Sequence, residues 1–498
     1  MNDVIYGFIN AFDFINIMAA FISVAIGITV GALPGLSAAM GVALLIPVTF
    51  GMPTEAGLIA LIGVYCGAIY GGSISAILIH TPGTPAAAAT ALDGYQLTLQ
   101  GRAGKALGVS IVSSFGGAMI STIALYAFAP PLAKLALKFG PAEYFWLSIF
   151  GLTIIAGVSS KSILKGLISG AFGLALSTIG MDPMLGSPRL TFGSMYLISG
   201  IPFTATLIGL FSMSQVLMLA EKKLKETGVI MKFEDKVMLT KEEFKTILPT
   251  ILRSGVIGSI LGILPGAGAT ISSFIGYNEA RRFSNEKEKF GKGSIEGVAG
   301  AEAANNAVTG GSLIPTLTLG IPGESVTAVL LGGLLIKGLQ PGPDLFTMHG
   351  KITYTFFAGF IVVNIFMLIL GLFGAKYFAK ISKVSDNYLI PIIFVLSVVG
   401  SYAIHNQMFD VWVMFVFGII GYFVKKFKLN PAAIVLALIL GPIGETGLRR
   451  TLIMTHNDYS ALFSSPLSWF LIVMSVFSLL SPILMNKLEK RTEESASK

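Results

Sequence analysis

The stretch Gly31-Ala-Leu-Pro-Gly35 interrupts an apolar run, and Gly262-Ile-Leu-Pro-Gly266 interrupts a second apolar run 231 residues later. Proline removes a backbone donor and glycine permits unusual dihedral angles, so each stretch is expected to break a helix. A helix that breaks inside a bilayer needs partners for its freed backbone groups, from protein, water or a ligand. Two helix breaks with nearly the same sequence, in corresponding halves of a chain, indicate the binding site of a transporter.

The composition places the chain in a membrane. Of its 498 residues, 54% are hydrophobic and 12% are charged, whereas about a quarter are charged in soluble proteins. Charge-free runs such as 106–133 and 459–486 exceed the length of a spanning helix. The predicted fold class is an all-α polytopic membrane protein with about 10–12 spans. The net charge of +8 fits cytoplasmic loops, and no basic cluster interleaved with aromatic residues indicates a nucleic-acid partner.

The second half of the chain repeats the order of the first. Pro82-Gly83 returns as Pro322-Gly323, and Gly71-Gly72-Ser73 returns as Gly310-Gly311-Ser312. An internal repeat follows from this order. The predicted organisation is a first membrane repeat (1–220), a lysine-rich cytoplasmic linker (221–249), a second membrane repeat (250–486) and a cytoplasmic tail (487–498).

Charges beside the two breaks predict that the repeats have opposite orientations. Arg281 and Lys287 are among the basic residues that flank the second break, whereas the first is flanked only by acidic residues such as Asp13 and Glu55. Each break could be a helical hairpin or a discontinuous span. If both are hairpins, basic flanks place the ends of the second in the cytoplasm and leave those of the first outside. Two inverted-topology repeats with broken or re-entrant helices are the usual basis of alternating access.

Polar groups beside the breaks and around the second pair of Pro-Gly sequences are candidate ligands for an anion, because half-helix N-termini carry free N–H groups. The structural alternative is a packing kink for each Pro-Gly, with hydroxyls that bond back to their own helix. The predicted substrate-binding residues are Pro34, Gly35, Ser37, Ser73, Thr81, Pro82, Gly83, Thr84, Pro265, Gly266, Thr270, Asn305, Asn306, Ser312, Pro322, Gly323 and Ser325.

Glu302 is an ionisable residue in a weakly charged segment, followed closely by two amides. Such a residue is costly in a membrane and usually functional, although a helix end at the interface would also explain it. The predicted coupling-ion residues are Glu302, Asn305 and Thr318. No Ser-His-Asp, His-Glu-x-x-His or Walker A pattern supports an enzyme or an ATP-driven pump. Because Cys66 is the only cysteine, thiolate metal clusters are excluded, and no cofactor is expected.

Long motifs in both halves resemble those of the large membrane subunit of tripartite tricarboxylate transporters, the TctA type. They include Gly31-Ala-Leu-Pro-Gly-Leu-Ser37, Thr81-Pro-Gly-Thr-Pro85 and Glu302-Ala-Ala-Asn-Asn306. The resemblance covers essentially the whole chain and implies a secondary transporter of the bacterial inner membrane. It also implies a Na⁺ or H⁺ gradient as the driving force, a small four-helix membrane subunit, and a periplasmic binding protein that delivers an organic carboxylate such as a tricarboxylate.

Two residues depart from the pattern of that family. His80 stands where an amide is expected, and Glu324 stands where small or amide residues are common. Two other functions remain open: an anion channel or uniporter that needs no binding protein, and a membrane-embedded enzyme, which would require a catalytic pair that the sequence does not show.

Overall fold

The computed structural model of the chain describes residues 2–158, 163–221, 237–264, 268–381 and 386–479. Among these residues, nine helices are long and apolar enough to cross a membrane, so the all-α polytopic class is confirmed. The helices of the first half are α1 (Asn2–Ala11), α2 (Phe14–Ala32), α3 (Ala38–Phe50), α4 (Thr54–Ile79), α5 (Ala88–Leu99), α6 (Ala103–Ala136), α7 (Pro141–Val158), α8 (Ile163–Ser177), α9 (Phe203–Leu207) and α10 (Ser214–Glu221).

The helices of the second half are α11 (Lys241–Ile263), α12 (Gly268–Phe283), α13 (Ile295–Leu319), α14 (Ser325–Ile336), α15 (Asp344–Thr347), α16 (Gly350–Ile381), α17 (Asp386–His405), α18 (Met408–Lys426) and α19 (Pro431–Met454), followed by a helix at Pro466–Leu479. A π-helical segment, Ile208–Met213, joins α9 to α10, and short 3₁₀ turns occupy Pro85–Ala87, Met195–Leu197, Lys287–Lys289 and Tyr459–Phe463. The strands β1 (Gly180–Met181) and β2 (Pro188–Arg189) form a two-stranded antiparallel sheet.

The apolar residues 194–218 predict one spanning helix, but this span begins later than predicted. Its helix starts only at Phe203, and the residues before it form an irregular loop with β1 and β2. Turn-forming glycines and prolines in this loop, such as Gly186 and Pro202, oppose a continuous helix. Part of the predicted linker (222–236), the predicted tail and the end of the last predicted span lie outside the described residues. The domain boundaries therefore stay a prediction.

The first Leu-Pro-Gly break is the turn of a helical hairpin. α2 runs parallel to α4: a Cβ added to Gly27 would lie 2.6 Å from the Val64 carbonyl oxygen, and one added to Gly31 would lie 2.2 Å from the Ala68 oxygen. α3 runs antiparallel to α4, since Gly41 meets Val64 while the later part of α3 meets the start of α4. α2 and α3 therefore point in opposite directions, and glycine lets the parallel pair approach closely.

The second break has the same arrangement. Gly258 of α11 faces Ala304 of α13, and Gly262 faces Gly311, so these two helices are parallel. α12 is antiparallel to α13, because the Ser272 hydroxyl donates to the Ala304 carbonyl at 3.0 Å while Gly276, further along α12, faces the earlier residue Gly300. α11 and α12 are thus a second helical hairpin. The first break is therefore a hairpin turn, and the described helices on the two sides of the second break are also arranged as a hairpin rather than as a discontinuous span.

The two halves are inverted with respect to each other. α6 runs parallel to α13, because Gly117 faces Ala303 and Gly310 faces Ser121, and α16 runs parallel to α4, because Gly359 faces Ile59 and Gly371 faces Tyr70. α6 and α16 are antiparallel, since Ile111 meets Gly371 while Tyr126 meets Tyr354. α4 and its equivalent α13 therefore run in opposite directions, and the Tyr65 hydroxyl of α4 lies 3.1 Å from the Ser312 hydroxyl of α13. α5 runs antiparallel to α13, from Thr90 beside Glu302 to Gln100 beside Lys292. α14 runs antiparallel to α4 in the same way. A pseudo-twofold axis through the α4–α13 crossing relates the halves, as an inverted repeat requires.

The outer helices are exchanged between the halves. α7 and α8 pack against α19, the last long helix of the other half, and α17 and α18 pack against the π-helical segment and α10. Ion pairs fix the loop that carries β1 and β2 to the C-terminal part of α19: Arg189 pairs with Glu445 at 2.6 Å, and Arg449 pairs with Asp182 at 2.7 Å. The hydrogen bond from Arg449 holds the pKa of Asp182 below its usual range.

Labelling of single cysteines from each side of the membrane tests the inversion. In a Cys66→Ala background, we expect Glu55→Cys and Lys287→Cys to react with a membrane-impermeant maleimide from opposite sides, because they lie at the ends of oppositely oriented hairpins. Lys245→Cys, before the second hairpin, is the control and should react from the same side as Lys287→Cys. Labelling of Glu55→Cys and Lys287→Cys from one side would contradict the inversion.

The hairpin packing predicts a large difference between two glycines. Gly31→Ala should lower the free energy of unfolding by about 1–3 kcal/mol, because its Cβ would overlap backbone that cannot move independently. Gly51 has no atom within 4 Å of the same position, so Gly51→Ala is the matched control and should unfold like the parent protein. Thermal unfolding of the purified protein in detergent measures both, and equal melting temperatures would refute the packing argument.

Candidate functional site

Each half carries a tip, an extended turn that follows a long buried helix and returns toward the hairpin. The tips are residues 80–84 after α4 and residues 320–324 after α13. A Cβ added to Gly83 would lie 1.9 Å from the Gly31 carbonyl oxygen, and one added to Gly323 would lie 2.7 Å from the Gly262 oxygen. Each tip therefore lies on the helix end just before the Leu-Pro-Gly break of its own half, and this close contact requires the glycines.

The second tip carries a carboxylate onto the second hairpin. One Glu324 carboxylate oxygen accepts a hydrogen bond from the backbone N–H of Ala269, in the first turn of α12, at 3.1 Å. The other oxygen accepts from the Tyr65 hydroxyl of α4. A helix N-terminus is favourable for negative charge. Contacts at Glu324 thus join the second tip, the second hairpin and the first half.

The equivalent contact in the first half is made by uncharged groups. Equivalent contacts of the two tips give a repeat offset of 240 residues, because Gly83 meets Gly72 and Gly323 meets Ser312. At this offset Asn305 corresponds to Tyr65 and Thr84 to Glu324, so the twofold relation predicts that Asn305 faces Thr84 as Tyr65 faces Glu324. Both side chains are buried. The Thr84 hydroxyl and both polar atoms of the Asn305 amide have no hydrogen-bond partner among the described residues. Each such buried group costs about 1–3 kcal/mol, so these groups are candidates for binding a ligand.

A second polar group lies beside the crossing, and we call it the carboxylate cluster: Glu302, Thr90, Ser114 and Asn306. The Glu302 carboxylate accepts from the hydroxyls of Thr90 and, at 2.9 Å, Ser114. The Asn306 amide nitrogen donates to the Ser114 hydroxyl at 2.9 Å, while its amide oxygen has no partner among the described residues. Glu302 is fully buried, two turns inside α13, rather than at a helix end.

No described basic side chain forms an ion pair with Glu302. A buried carboxylate is held by ion pairs, by hydrogen bonds, by a bound cation or by a proton. The carboxylate, hydroxyl and amide oxygens of the cluster are the ligand types that a hard cation prefers. The cluster can therefore hold a proton or a small cation.

The predicted site residues fall into three groups. Buried in the tips or at the crossing are Gly83, Thr84, Asn305, Asn306, Ser312, Pro322 and Gly323, with Pro82 partly buried. Exposed or bonded to neighbouring backbone or hydroxyl groups are Gly35, Ser37, Ser73, Thr81, Thr270, Thr318 and Ser325, with Pro34 partly buried. Pro265 and Gly266 lie outside the described residues.

Two members of the second group show why their hydroxyls are less available. Ser37 caps α3 by accepting from the Met40 N–H at 3.2 Å, and Thr318 donates to the Ile314 carbonyl of its own helix at 2.7 Å. Back-bonding of this kind is the structural alternative considered for hydroxyls in membrane helices. Roles in binding for these residues remain predictions.

The sequence reasoning missed Tyr65, Thr90 and Ser114. Tyr65 and Ser114 lie in long apolar helices, where an isolated hydroxyl usually serves packing, and their contacts cross between the halves. A comparison of the two repeats could have indicated the Glu302–Thr90 contact, because a polar residue in one half there corresponds to an apolar residue in the other. At the offset of 240 residues, Glu302 corresponds to Ile62 and Thr90 to Leu330, so polar groups replace apolar ones at two paired positions of the second and first halves.

Two inverted halves, a tip in each, and buried polar groups at their crossing define a membrane transport protein of the inverted-repeat class. The chain belongs to the tripartite tricarboxylate transporter TctA family, whose family model matches residues 17–436.

Two relatives from Agrobacterium vitis are similar to this chain. An uncharacterized 52.8 kDa protein in the TAR-I ttuC′ 3′ region is 38% identical over 486 residues, which is 97% of this chain and 96% of the relative. An uncharacterized protein in the TAR-II ttuC′ 3′ region is 35% identical over 236 residues, which is 47% of this chain and 98% of that protein. No solved structure gives a significant match.

Because the buried Asn305 amide has no hydrogen-bond partner among the described residues, we expect its replacement to stabilise the protein but to impair transport. Asn305→Leu should raise the free energy of unfolding of the ligand-free protein by about 1–3 kcal/mol, because it removes buried groups without hydrogen bonds, and it should weaken transport. Asn16→Leu is the control: this side chain is also buried, and its amide nitrogen donates to the Asn10 carbonyl at 2.7 Å, so that replacement should not stabilise. Thermal unfolding and uptake measure the two effects, and a destabilised Asn305→Leu would contradict the assignment.

Proposed function

We propose that this chain is the large permease subunit of a binding-protein-dependent, cation-coupled importer of tricarboxylates or related organic carboxylates. The observation that carries the proposal is that Thr84 and Asn305, the equivalents of Glu324 and Tyr65, are buried with three polar atoms that have no hydrogen-bond partner among the described residues. An amide N–H₂ and a hydroxyl can donate to a carboxylate. The first hairpin would add the N-terminus of α3 to this anion site.

Coupling would operate through the carboxylate cluster. Glu302 and the Asn306 amide oxygen would bind H⁺ or Na⁺ beside the substrate, so that the cation offsets the charge of the anion during the crossing. Thr90 and Ser114 would orient the carboxylate. Asn305, adjacent in sequence to Asn306, would link the two sites, since the side chains of neighbouring residues share one turn of α13.

The partners follow from the family, whose name describes a tripartite transporter. We infer a small four-helix membrane subunit and a periplasmic protein that delivers the carboxylate. The proposed location is the bacterial inner membrane, with the lysine-rich linker on the cytoplasmic side because basic loops are retained there.

Uptake into proteoliposomes tests the proposal. The permease is reconstituted with the small subunit, the binding protein is added outside, and accumulation of a radiolabelled carboxylate is followed under an imposed Na⁺ or proton gradient. We expect uptake that requires both the binding protein and one of the gradients. Uptake that persists without the binding protein and with both gradients collapsed would instead indicate a channel or uniporter.

Glu302→Gln tests the coupling site in the same vesicles. The amide keeps the size of the side chain but cannot exchange a proton or offer two anionic oxygens, so gradient-driven accumulation should fall by about tenfold or more. Exchange of substrate between the two sides, which needs no net cation movement, should persist. Glu296→Gln is the matched control, since Glu296 lies on the same helix and accepts from Ser284 at 2.5 Å, outside the cluster. Normal accumulation by Glu302→Gln would remove Glu302 from coupling.

A further inference from the structure

The two tips differ in charge although the fold makes them equivalent. At the first tip, Thr84 and the Asn305 amide of α13 have polar atoms without partners among the described residues, whereas at the second tip both oxygens of Glu324 have donors. Two accepted hydrogen bonds are the pattern of an ionised carboxylate, which can only accept. The second tip therefore contains an anion of its own.

Glu324 is bound as an external carboxylate would be. Its donors are a backbone N–H in the first turn of α12 and a buried tyrosine hydroxyl, the combination of helix N-terminus and side-chain donor that selects anions. No described lysine or arginine pairs with Glu324. Among the described residues, the charge of this carboxylate is thus balanced by the helix dipole and by hydrogen bonds.

We propose that Glu324 is a specificity-determining residue: it fills the anion site of the second half, leaves one open carboxylate site at Thr84 and Asn305, and selects against highly charged substrates. This inference rests on the proposed function and narrows its substrate class to organic acids with one or two carboxylates. Repulsion between Glu324 and a bound anion grows with each charge on the anion and is strong where the surroundings have a low dielectric constant.

The geometry also explains why Glu324 stays in place when a substrate binds. Its backbone follows Gly323, which is held against the Gly262 carbonyl and Ser312, and its carboxylate is held by Tyr65. The side chain is therefore anchored at both ends. A substrate with three carboxylates would need the N-terminus of α12 as well, and it would have to displace an ionised group that has no other partner there.

A charge series measured on the purified permease tests the proposal. Butyrate, succinate and propane-1,2,3-tricarboxylate are titrated at pH 8 and constant ionic strength, and binding is followed by calorimetry and by the ligand-induced rise in melting temperature. In the parent protein, affinity should be lowest for the tricarboxylate. Glu324→Gln should raise affinity for the tricarboxylate relative to butyrate by about tenfold or more, since it removes one repelling charge.

Glu324→Thr, which copies the residue of the first tip, is the second variant and should shift the preference in the same direction. Glu296→Gln is the control, because it removes a carboxylate from α13 outside the tips and should leave the ranking unchanged. An unchanged ranking in both Glu324 variants, with measurable binding, would overturn the role of Glu324 alone. Absence of carboxylate binding in the parent and in both variants would overturn the proposed function together with this inference.

Discussion

Every helix that breaks in a bilayer must satisfy its freed backbone groups within the protein, and this constraint organises the whole core. Each Leu-Pro-Gly break leaves carbonyls at the end of a helix, and each tip packs a glycine against one of them, Gly83 on Gly31 and Gly323 on Gly262. The Gly83 N–H in turn donates to the Gly72 carbonyl at 3.1 Å. Hairpin and tip are therefore a single unit in each half. The repeated Pro-Gly sequences serve packing first, and this packing is what brings polar side chains to the crossing.

The twofold symmetry determines where the site lies, and the positions at which the two halves carry different residues determine which chemical groups it offers. The twofold axis makes Tyr65 equivalent to Asn305, and Ile62 equivalent to Glu302. If the pairs were identical, the two halves would offer two copies of one site. Instead, the Thr84 hydroxyl of the first tip and the Asn305 amide of α13 have no hydrogen-bond partner among the described residues, whereas the second tip carries the Glu324 carboxylate. The carboxylate cluster has no counterpart at the equivalent positions of the first half. A single copy suits a transporter that couples one substrate site to one cation site.

The sequence predicted those parts of this arrangement that depend on residues with special backbone properties or on the charges of the loops. The breaks, the tips and the inverted order of the halves depend on proline, glycine and loop charge, which have few other uses inside a membrane. The packing of α19 against α7 and α8 could not be predicted from the sequence, because the apolar faces of different helices have similar compositions. Hydroxyls were equally ambiguous: Thr84 is buried without a partner, whereas Thr270 is exposed, and no feature of the sequence separates the two.

The buried Glu302 and the partly buried Glu324 both lie in the second half, and their carboxylates accept hydrogen bonds from hydroxyl groups of the first half. Thr90 and Ser114 donate to Glu302, and Tyr65 donates to Glu324. Any movement of one half against the other would stretch these bonds, and a buried carboxylate that loses its donors costs several kcal/mol unless a proton or a cation replaces them. Charge compensation and movement are therefore linked by the same few contacts. This linkage follows from the placement of the carboxylates across the interface and holds for any substrate.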